Sequence, residues 1–291
     1  MSGYLTTREL AELLRTKERK VYDLAAQGAV PCTRVTGKLL FPEAKVRAWL
    51  AAGASGPGIG ARPPAVLLGS HDPLLDWAVR ESGAGLATLT AGSADGLARF
   101  AAAEGVAAGL HLRCGETGRW NVPAVQAACA ARDAVLMAFA TRERGLVCAP
   151  GAGIATLTDL AGRTLARREP ASGAEPLLDA LLAEAGIDPG LIDPAGPYRS
   201  EADAVMAVKR GEADAAFGLA CLARPLGLDF APVLGERFDL LVDRAAWFDP
   251  PMLTLMAFLR SEPFRRHAAA LGGYEIAPLG RVLWNAGAPQ G

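Results

Sequence analysis

The order of apolar and polar residues at the N-terminus predicts two short amphipathic helices. Thr7 is the expected N-cap of the first helix, and its apolar face consists of Leu10, Leu13 and Leu14. The second helix is predicted over residues 17–27, with Gly28 in the position that ends it. Its apolar face consists of Val21, Leu24 and Ala25.

A hairpin and a third helix are predicted next. Residues 30–41 alternate as two short strands that turn at Thr36-Gly37-Lys38. The last helix, over residues 42–51, buries Val46, Trp49 and Leu50. Residues 53–64 are rich in glycine and proline and have no apolar period, which predicts a linker between a domain of residues 1–52 and one of residues 65–291.

Beyond the linker, strand-like and helical patterns alternate. Apolar runs at residues 66–68, 86–89, 106–110 and 135–137 predict strands, and residues 73–80, 94–103 and 122–131 predict helices between them. This alternation is typical of an α/β fold with mostly parallel strands.

Composition supports two folded, soluble domains. The chain has 291 residues, of which 51% are hydrophobic and 21% charged, enough to bury a large core. The five cysteines are scattered without a C-x-x-C pair, so we expect neither disulfides nor a zinc site. We find no signal-peptide pattern and no run of 18 apolar residues, and we expect a cytoplasmic protein without membrane contact.

Charge is distributed unevenly along the chain. Residues 1–52 contain nine Lys and Arg against five acidic residues, a balance of +4, although the whole chain carries −1. A basic N-terminal domain on an acidic body indicates a polyanionic partner for the N-terminal domain alone. The candidate DNA-binding residues are Thr16, Lys17, Arg19, Lys20 and Tyr22 on the second helix and Arg34 and Lys38 on the hairpin.

The segment TTRELAELLRTKERKVYDLAAQGAVPCTRVTGKLLFPEAKVRAWL resembles the excisionase/MerR-like winged helix-turn-helix family. The resemblance covers most of residues 4–50 and includes Gly28-x-Val30-Pro31 before the wing and a final helix with Trp49. It implies DNA binding, and because one such domain covers half a site, a homodimer or larger assembly. The alternative is that these charges form the solvated face of a small helical domain.

Three strand-to-helix junctions in the body are candidate anion sites. They lie at residues 67–73, 90–97 and 170–174, where small polar residues precede a helix. Free backbone N–H groups and the positive end of the helix dipole favour an anion there, although Ser and Asp are also ordinary N-caps. We expect Asp72 and Asp95 to be caps or turn formers, since a carboxylate would repel an anion.

The body resembles the type 2 periplasmic-binding-protein-like domain found in molybdate- and tungstate-related regulators. The resemblance covers residues 65–285 through segments such as GSHDPLLDWA, GSADGLARFAAAEGVAAGLHL, ETGRWNVPAV, ATRERGLVCAPG and GEADAAFGL. It implies two α/β lobes, one of residues 65–140 and 240–291 and one of residues 148–235, which close on a ligand. The pocket residues that it implies are Ser70, His71 and Ser93 from lobe one, Ser172, Gly173 and Tyr198 from lobe two, and His111 and Arg142 near the hinge.

One segment departs from that family's pattern. Where the family has Gly-Ser-Gly-Thr-Arg, this chain has Ala171-Ser172-Gly173-Ala174-Glu175, which loses two donors and adds a negative charge. Arg167 and Arg168 are candidates to replace the lost positive charge. The ligand class therefore stays open between an oxyanion, an organic metabolite and the molybdenum cofactor.

No motif predicts catalysis, a metal or a bound cofactor. Ser70-His71-Asp72 are adjacent in sequence, and adjacent side chains do not form a catalytic relay. The three histidines lack ligand spacing, and neither a P-loop nor a G-x-G-x-x-G after a strand occurs. The sequence thus favours a one-component transcription regulator, and the alternative is a nonregulatory binding protein or enzyme whose N-terminal domain mediates protein contacts.

Overall fold

The computed structural model describes residues 3–35, 37–53, 62–170 and 172–287. The chain forms two compact units, residues 1–62 and 63–291. Residues 54–61 of the predicted linker lie outside the described residues, as does Thr36 at the predicted hairpin turn.

The N-terminal unit packs three helices against a small antiparallel sheet with strand order β1-β3-β2. β2 and β3 form the predicted hairpin, in which Thr33 pairs with Leu40. The core consists of Leu10, Ala11, Val21, Val30, Phe41 and Val46. The elements are β1 (Tyr4–Leu5), α1 (Thr7–Leu13), α2 (Glu18–Ala26), β2 (Thr33–Val35), β3 (Lys38–Pro42) and α3 (Glu43–Gly53).

Helix α1 begins one residue earlier than the sequence pattern predicted. Thr6 is the N-cap: its hydroxyl accepts a hydrogen bond from the Glu9 amide, and the Glu9 carboxylate accepts one from the Thr6 amide. The prediction of Thr7 as N-cap is wrong, since Thr7 is the first helical residue and is buried. Only Thr6 has Glu three positions later, as a capping box requires.

The second unit is built on a ten-stranded sheet with two parallel halves. Strands β5 (Ala87–Leu89), β4 (Val66–Gly69) and β6 (Ala107–Leu110) run parallel on one side. Strands β10 (Ala215–Leu219), β8 (Thr164–Arg168) and β9 (Asp193–Tyr198) run parallel on the other. The longer strands β7 (Ala134–Cys148) and β11 (Asp229–Asp243) lie between them. We refer to the first side as lobe one and the second as lobe two. The predicted α/β class is confirmed.

Two long antiparallel strands connect the lobes. β7 and β11 each have 15 residues and pair along their whole length, from Asp229 opposite Cys148 to Asp243 opposite Ala134. Lobe one pairs with this connection through β6 and β11, and lobe two through β10 and β7. The sequence pattern predicted only residues 135–137 of β7 as a strand, although the apolar run continues to Ala140 and is interrupted by charge only from Arg142.

The helices cover the apolar faces of this sheet. Separate clusters of buried side chains form under lobe one, around Leu74, Phe139 and Phe264, and under lobe two, around Leu165 and Leu178. Within the described residues, no helix is long and apolar enough to cross a membrane. The strands are β4 (Val66–Gly69), β5 (Ala87–Leu89), β6 (Ala107–Leu110), β7 (Ala134–Cys148), β8 (Thr164–Arg168), β9 (Asp193–Tyr198), β10 (Ala215–Leu219), β11 (Asp229–Asp243), β12 (Tyr274–Glu275) and β13 (Val282–Asn285). The helices are α4 (Pro73–Ser82), α5 (Ser93–Ala101), α6 (Val122–Ala128), α7 (Ala174–Glu184), α8 (Glu201–Arg210), α9 (Ala220–Ala223), α10 (Pro250–Leu259) and α11 (Glu262–Leu271).

Candidate functional site

The predicted DNA-binding residues are all exposed on the N-terminal unit. Lys17 is the N-cap of α2, and its extended backbone leaves the first turn of that helix open to solvent. Val21 anchors α2 in the core, so the opposite face of the helix is free for contact. The exposed residues on or beside α2 are Thr16, Lys17, Arg19, Lys20 and Tyr22, and those on the hairpin are Arg34 and Lys38.

In the second unit, a cleft of about 300 Å³ lies between the two lobes. It is formed where parallel strands end and helices begin, which is the place where open α/β folds bind ligands. Lobe one contributes Ser70, His71, Thr90, Ala91, Gly92 and His111. Lobe two contributes Arg168, Glu169, Ser172, Gly173, Ala174, Arg199, Ser200 and Glu201.

Two helices begin at this cleft without a side-chain cap. Gly92 precedes α5 and Gly173 precedes α7, and neither helix start has a side-chain hydrogen bond. The first amide N–H groups of a helix have no partner within the helix, and its dipole is positive there. Ser172 adds a hydroxyl that is buried and has no hydrogen-bond partner among the described residues. These groups together form a set of donors suited to an anion.

Ser93 lies one layer behind the cleft instead of lining it. It is completely buried, and its hydroxyl oxygen accepts a hydrogen bond from the His111 amide at 3.0 Å. The same oxygen lies 2.8 Å from the Ser70 hydroxyl. Either hydroxyl can be the donor in this pair; when Ser93 donates, the hydrogen of Ser70 is free to turn toward the cleft. Ser93 thus contacts a residue of the cleft lining and is not part of that lining.

His111 lines the cleft and is tied to the connection between the lobes. Its Nδ1 lies 2.8 Å from Glu236 Oε1. Burial disfavours the charge of Glu236, but Arg142 and Arg144 outweigh burial and hold the pKa of Glu236 well below its ordinary value. Burial also lowers the pKa of His111. A neutral His111 that donates from Nδ1 to a charged Glu236 has an unprotonated Nε2.

Arg142 does not line the cleft. Its guanidinium is buried in ion pairs with Asp72 (2.8 Å) and Glu236 (2.7 Å). Burial works against the charge of Arg142, but these two carboxylates raise its pKa overall. The prediction of Arg142 as a pocket residue is therefore corrected to a structural role. Asp72 is the predicted cap, because it accepts a hydrogen bond from the Leu75 amide at the start of α4.

Arg144 extends this buried network from lobe one to lobe two. Its Nε lies 2.9 Å from Glu236 Oε2, an ion pair without hydrogen-bond geometry. Its Nη2 donates to Glu201 Oε1 at 2.5 Å. Since Glu201 is the first residue of α8, the network joins the hinge strands to a helix that begins at the cleft.

The segment that departs from the family pattern keeps one cation at the cleft. Arg167 is paired with Glu175 (2.5 Å) and Asp179 (2.6 Å) and does not line the cleft. Glu175 also accepts a hydrogen bond from the Arg168 amide, so its charge is offset inside lobe two. Arg168 lines the cleft, and among the described residues its side chain donates only to the carbonyls of Tyr198 and Arg199.

The remaining predicted pocket residues differ in position. His71 lines the cleft, and a hydrogen bond to Asp76 raises its pKa. Tyr198 lies outside the cleft lining and is partly buried against the core of lobe two. Gly173 faces His111 closely: a Cβ at this position would stand 2.7 Å from His111 Cε1. Glycine thus allows the two lobes to approach each other here.

Sequence reasoning missed the junction before α8, which supplies Arg199, Ser200 and Glu201 to the cleft. A signal was present, because Ser200 and Asp203 form a capping box in the structure and have its spacing in the sequence. Thr90 belongs to the predicted junction of residues 90–97, whereas Glu169 was missed, and nothing in the sequence distinguishes Glu169 from other exposed polar residues.

Comparison with known proteins agrees with this division of the chain. The helix-turn-helix domain family matches residues 4–54, and the PBP superfamily domain matches residues 76–260. The uncharacterized protein YvgK from Bacillus subtilis is 25% identical over 96% of this chain and 97% of its own length. A second uncharacterized protein, from the 5′ region of a ferredoxin gene of Clostridium pasteurianum, is 31% identical over 37% of this chain and 96% of its own length.

Solved structures share the fold of the second unit. The regulatory domain of MetR, a LysR family regulator from N. meningitidis, has a TM-score of 0.51 at 14% identity, over 72% of this chain and 97% of that chain. The tungstate ABC transporter structure from Geobacter sulfurreducens has a TM-score of 0.51 at 15% identity, over 70% of this chain and 97% of that chain. The chain combines a DNA-binding type of domain with a solute-binding fold, and because the matched region spans most of its length, it belongs to the PBP superfamily.

Proposed function

We propose that this protein is a one-component transcription regulator that binds DNA through its N-terminal unit and senses a small anionic ligand in the inter-lobe cleft. The observation that carries this proposal is the set of unused donors at the cleft, formed by the Ser172 hydroxyl and the uncapped starts of α5 and α7. The helix-turn-helix domain in the same chain supports DNA as the second partner.

The family resemblance favours an oxyanion of the molybdate or tungstate type. The donor set supports this class, because helix starts, hydroxyls and one arginine are the groups that bind oxyanions in proteins. An organic acid is the second candidate, favoured by the cleft volume of about 300 Å³. Since one water occupies about 30 Å³ in the liquid, the cleft has room for a ligand larger than a single tetrahedral oxyanion.

Regulation follows if the ligand binds the closed lobes more tightly than the open lobes. Donors from both lobes contact the same ligand only when the lobes are closed, so ligand binding favours closure. In a homodimer, closure would change the spacing of the paired DNA-binding domains and thereby their fit to two half-sites.

The test couples the two activities in one measurement. Fluorescence anisotropy follows the full-length protein on a duplex from the promoter region of its own gene, with and without phosphate, sulfate, molybdate, tungstate, malate or succinate. We expect at least one of these anions to shift DNA affinity. Ser172→Ala should weaken that response about tenfold or more in anion concentration, because a hydrogen bond to a charged group is lost.

Ser82→Ala is the matched control, since the Ser82 hydroxyl donates to its own helix at Val79. It should respond like the wild type. An equal response of Ser172→Ala and the wild type would remove Ser172 from the site. No response to any of the six anions would contradict anion sensing.

A further inference from the structure

The cleft presents hydrogen-bond acceptors as well as donors. His111 and Glu201 both line it, one from each lobe. The His111 side chain is only 5% exposed and that of Glu201 only 13%, so each polar group is held inside the site and not at its rim.

His111 presents the lone pair of Nε2 to a ligand in the cleft. Its Nδ1 hydrogen is used by Glu236, which is kept charged by Arg142 and Arg144. Its Nε2 has no hydrogen-bond partner among the described residues and lies beside Gly173 at the start of α7. A neutral imidazole in this tautomer can only accept a hydrogen bond at Nε2.

Glu201 presents a carboxylate oxygen. Its Oε1 is held by Arg144 at 2.5 Å, whereas Oε2 accepts no hydrogen bond from the part of the chain that the structure describes. Burial disfavours its charge, but Arg144 and Arg142 outweigh burial and lower its pKa, so the group is ionised at neutral pH. An ionised carboxylate accepts hydrogen bonds and donates none.

The charges around the cleft nearly cancel. Arg168 and Arg199 are cations of its lining, and Glu169 and Glu201 are anions. Arg199 lies 3.8 Å from Glu169, and Glu201 is paired with Arg144 through Oε1 only. Arg168 and Glu201 Oε2 are therefore the opposed groups that a ligand would meet. A fully deprotonated dianion would gain from Arg168 and the helix starts. However, its oxygens carry no hydrogen and would lie against two acceptors, the Glu201 carboxylate and the His111 Nε2 lone pair, so both contacts would be repulsive.

We infer that the cleft selects an anion that also carries a hydrogen-bond donor, and discriminates against tetrahedral dianions without a hydrogen. The anionic end would lie at Ser172 and the starts of α5 and α7, and the donor would face Glu201 and His111. This inference rests on the proposed function and narrows its ligand class away from molybdate and tungstate, which the family resemblance favours but whose dianions carry no hydrogen. The donor-bearing anion is either a protonated inorganic oxyanion or an organic hydroxy acid.

Hydrogenphosphate and sulfate form the decisive pair of probes. At about pH 8 both are tetrahedral dianions of similar size, and they differ by one hydroxyl hydrogen. Isothermal titration calorimetry on the full-length wild type should give at least about tenfold tighter binding of hydrogenphosphate than of sulfate, molybdate or tungstate. L-malate and succinate form the organic pair, which differs by one hydroxyl group, and tighter binding of malate than of hydrogenphosphate would identify the donor as organic.

Glu201→Gln tests the assigned acceptor. The amide keeps the size of the side chain, removes its charge and supplies N–H donors, so the preference for the donor-bearing member of the pair should fall by about tenfold. Glu212→Gln is the matched control: this exposed carboxylate follows the end of α8 and does not line the cleft. It should keep the wild-type preference.

The outcomes separate this inference from the proposal on which it rests. Sulfate, molybdate or tungstate bound as tightly as hydrogenphosphate, or succinate as tightly as malate, would overturn the donor requirement while leaving anion sensing intact. An unchanged preference in a folded Glu201→Gln would also overturn it. Binding of none of these anions would instead contradict the proposed function. The wild-type comparison stands by itself if the variant does not fold.

Discussion

At the scale of single residues, the second unit depends on a buried group of charges. Arg142 and Arg144 are 1% and 0% exposed, and Glu236 between them is also fully buried. Buried charges are tolerated when each has a partner, and removing one partner leaves the others uncompensated. The cleft therefore rests on a hinge that is held by ion pairs as well as by apolar packing.

Replacing Glu236 should destabilise the second unit strongly. We expect Glu236→Gln to lower its free energy of unfolding by roughly 3–5 kcal/mol, because two buried guanidinium groups lose their common carboxylate. Urea unfolding followed by tryptophan fluorescence measures this. Glu143 is exposed and lies between the two arginines in the same strand, so Glu143→Gln is the control. It should lower the free energy of unfolding by less than about 0.5 kcal/mol.

The contribution of Glu236 to stability should decrease toward acid pH. In the folded protein the pKa of Glu236 lies well below 4.5, the ordinary value for a glutamate side chain. The stabilisation that Glu236 provides is therefore fully present above pH 4.5 and is lost as the pH falls through the folded pKa. Wild type and Glu236→Gln should therefore converge in stability in acid. A stability difference that stays constant into acid would show that the carboxylate charge is not what matters.

At the scale of elements, helix starts carry both stability and the candidate site. α1 and α8 are closed by capping boxes, whereas α5 and α7, which open onto the cleft, are not capped by side chains. The cleft also needs a close approach between the start of α7 and the end of β6. Gly173 permits that approach to His111.

Adding a methyl group at Gly173 should hinder closure of the lobes. A Cβ would stand 2.7 Å from His111 Cε1, and Glu236 holds that ring in place, so Gly173→Ala should weaken anion binding by about tenfold without unfolding the protein. Calorimetry with hydrogenphosphate measures it. Gly115→Ala, where the added Cβ meets no atom within 4 Å, is the control and should bind normally. Equal affinities would mean that the ligand binds without this contact.

At the scale of the whole molecule, the two units divide the charge between them. The basic residues on α2 and the hairpin stay exposed after folding and give the N-terminal unit an electrostatic character that the second unit lacks. Phosphate contacts make DNA affinity depend steeply on salt, since each contact releases counterions.

Removing two of these cations should weaken DNA binding and flatten its salt dependence. For Arg19→Ala with Lys20→Ala, we expect the slope of log affinity against log salt to become less negative by about 2, one for each lost phosphate contact. Fluorescence anisotropy across a salt series measures it. Lys209→Ala with Arg210→Ala removes an adjacent exposed pair from the second unit and should leave the slope unchanged. A slope unaltered by the first pair would exclude α2 from the DNA contact.

The α/β class, the N-terminal helix-turn-helix pattern and several cleft residues could be predicted from the sequence. Ser70, His71, His111, Arg168, Ser172 and Gly173 all line the cleft. Three other predicted pocket residues, Ser93, Arg142 and Tyr198, do not line the cleft, because a sequence does not show which neighbours a polar side chain will have. Arg142 forms ion pairs with Asp72 and Glu236, two carboxylates that are distant from it in the sequence.

The sequence by itself determined the local features: the periods of its helices and strands, its charge asymmetry, and the small polar residues at strand ends. Those depend on neighbours along the chain and on short-range geometry. Only the tertiary structure decided which groups line the cleft, because Glu201 and His111 are 90 positions apart and meet there through the sheet that joins the lobes. It also decided that Arg142 is buried away from the cleft, because Arg142 pairs with Glu236 across β7 and β11.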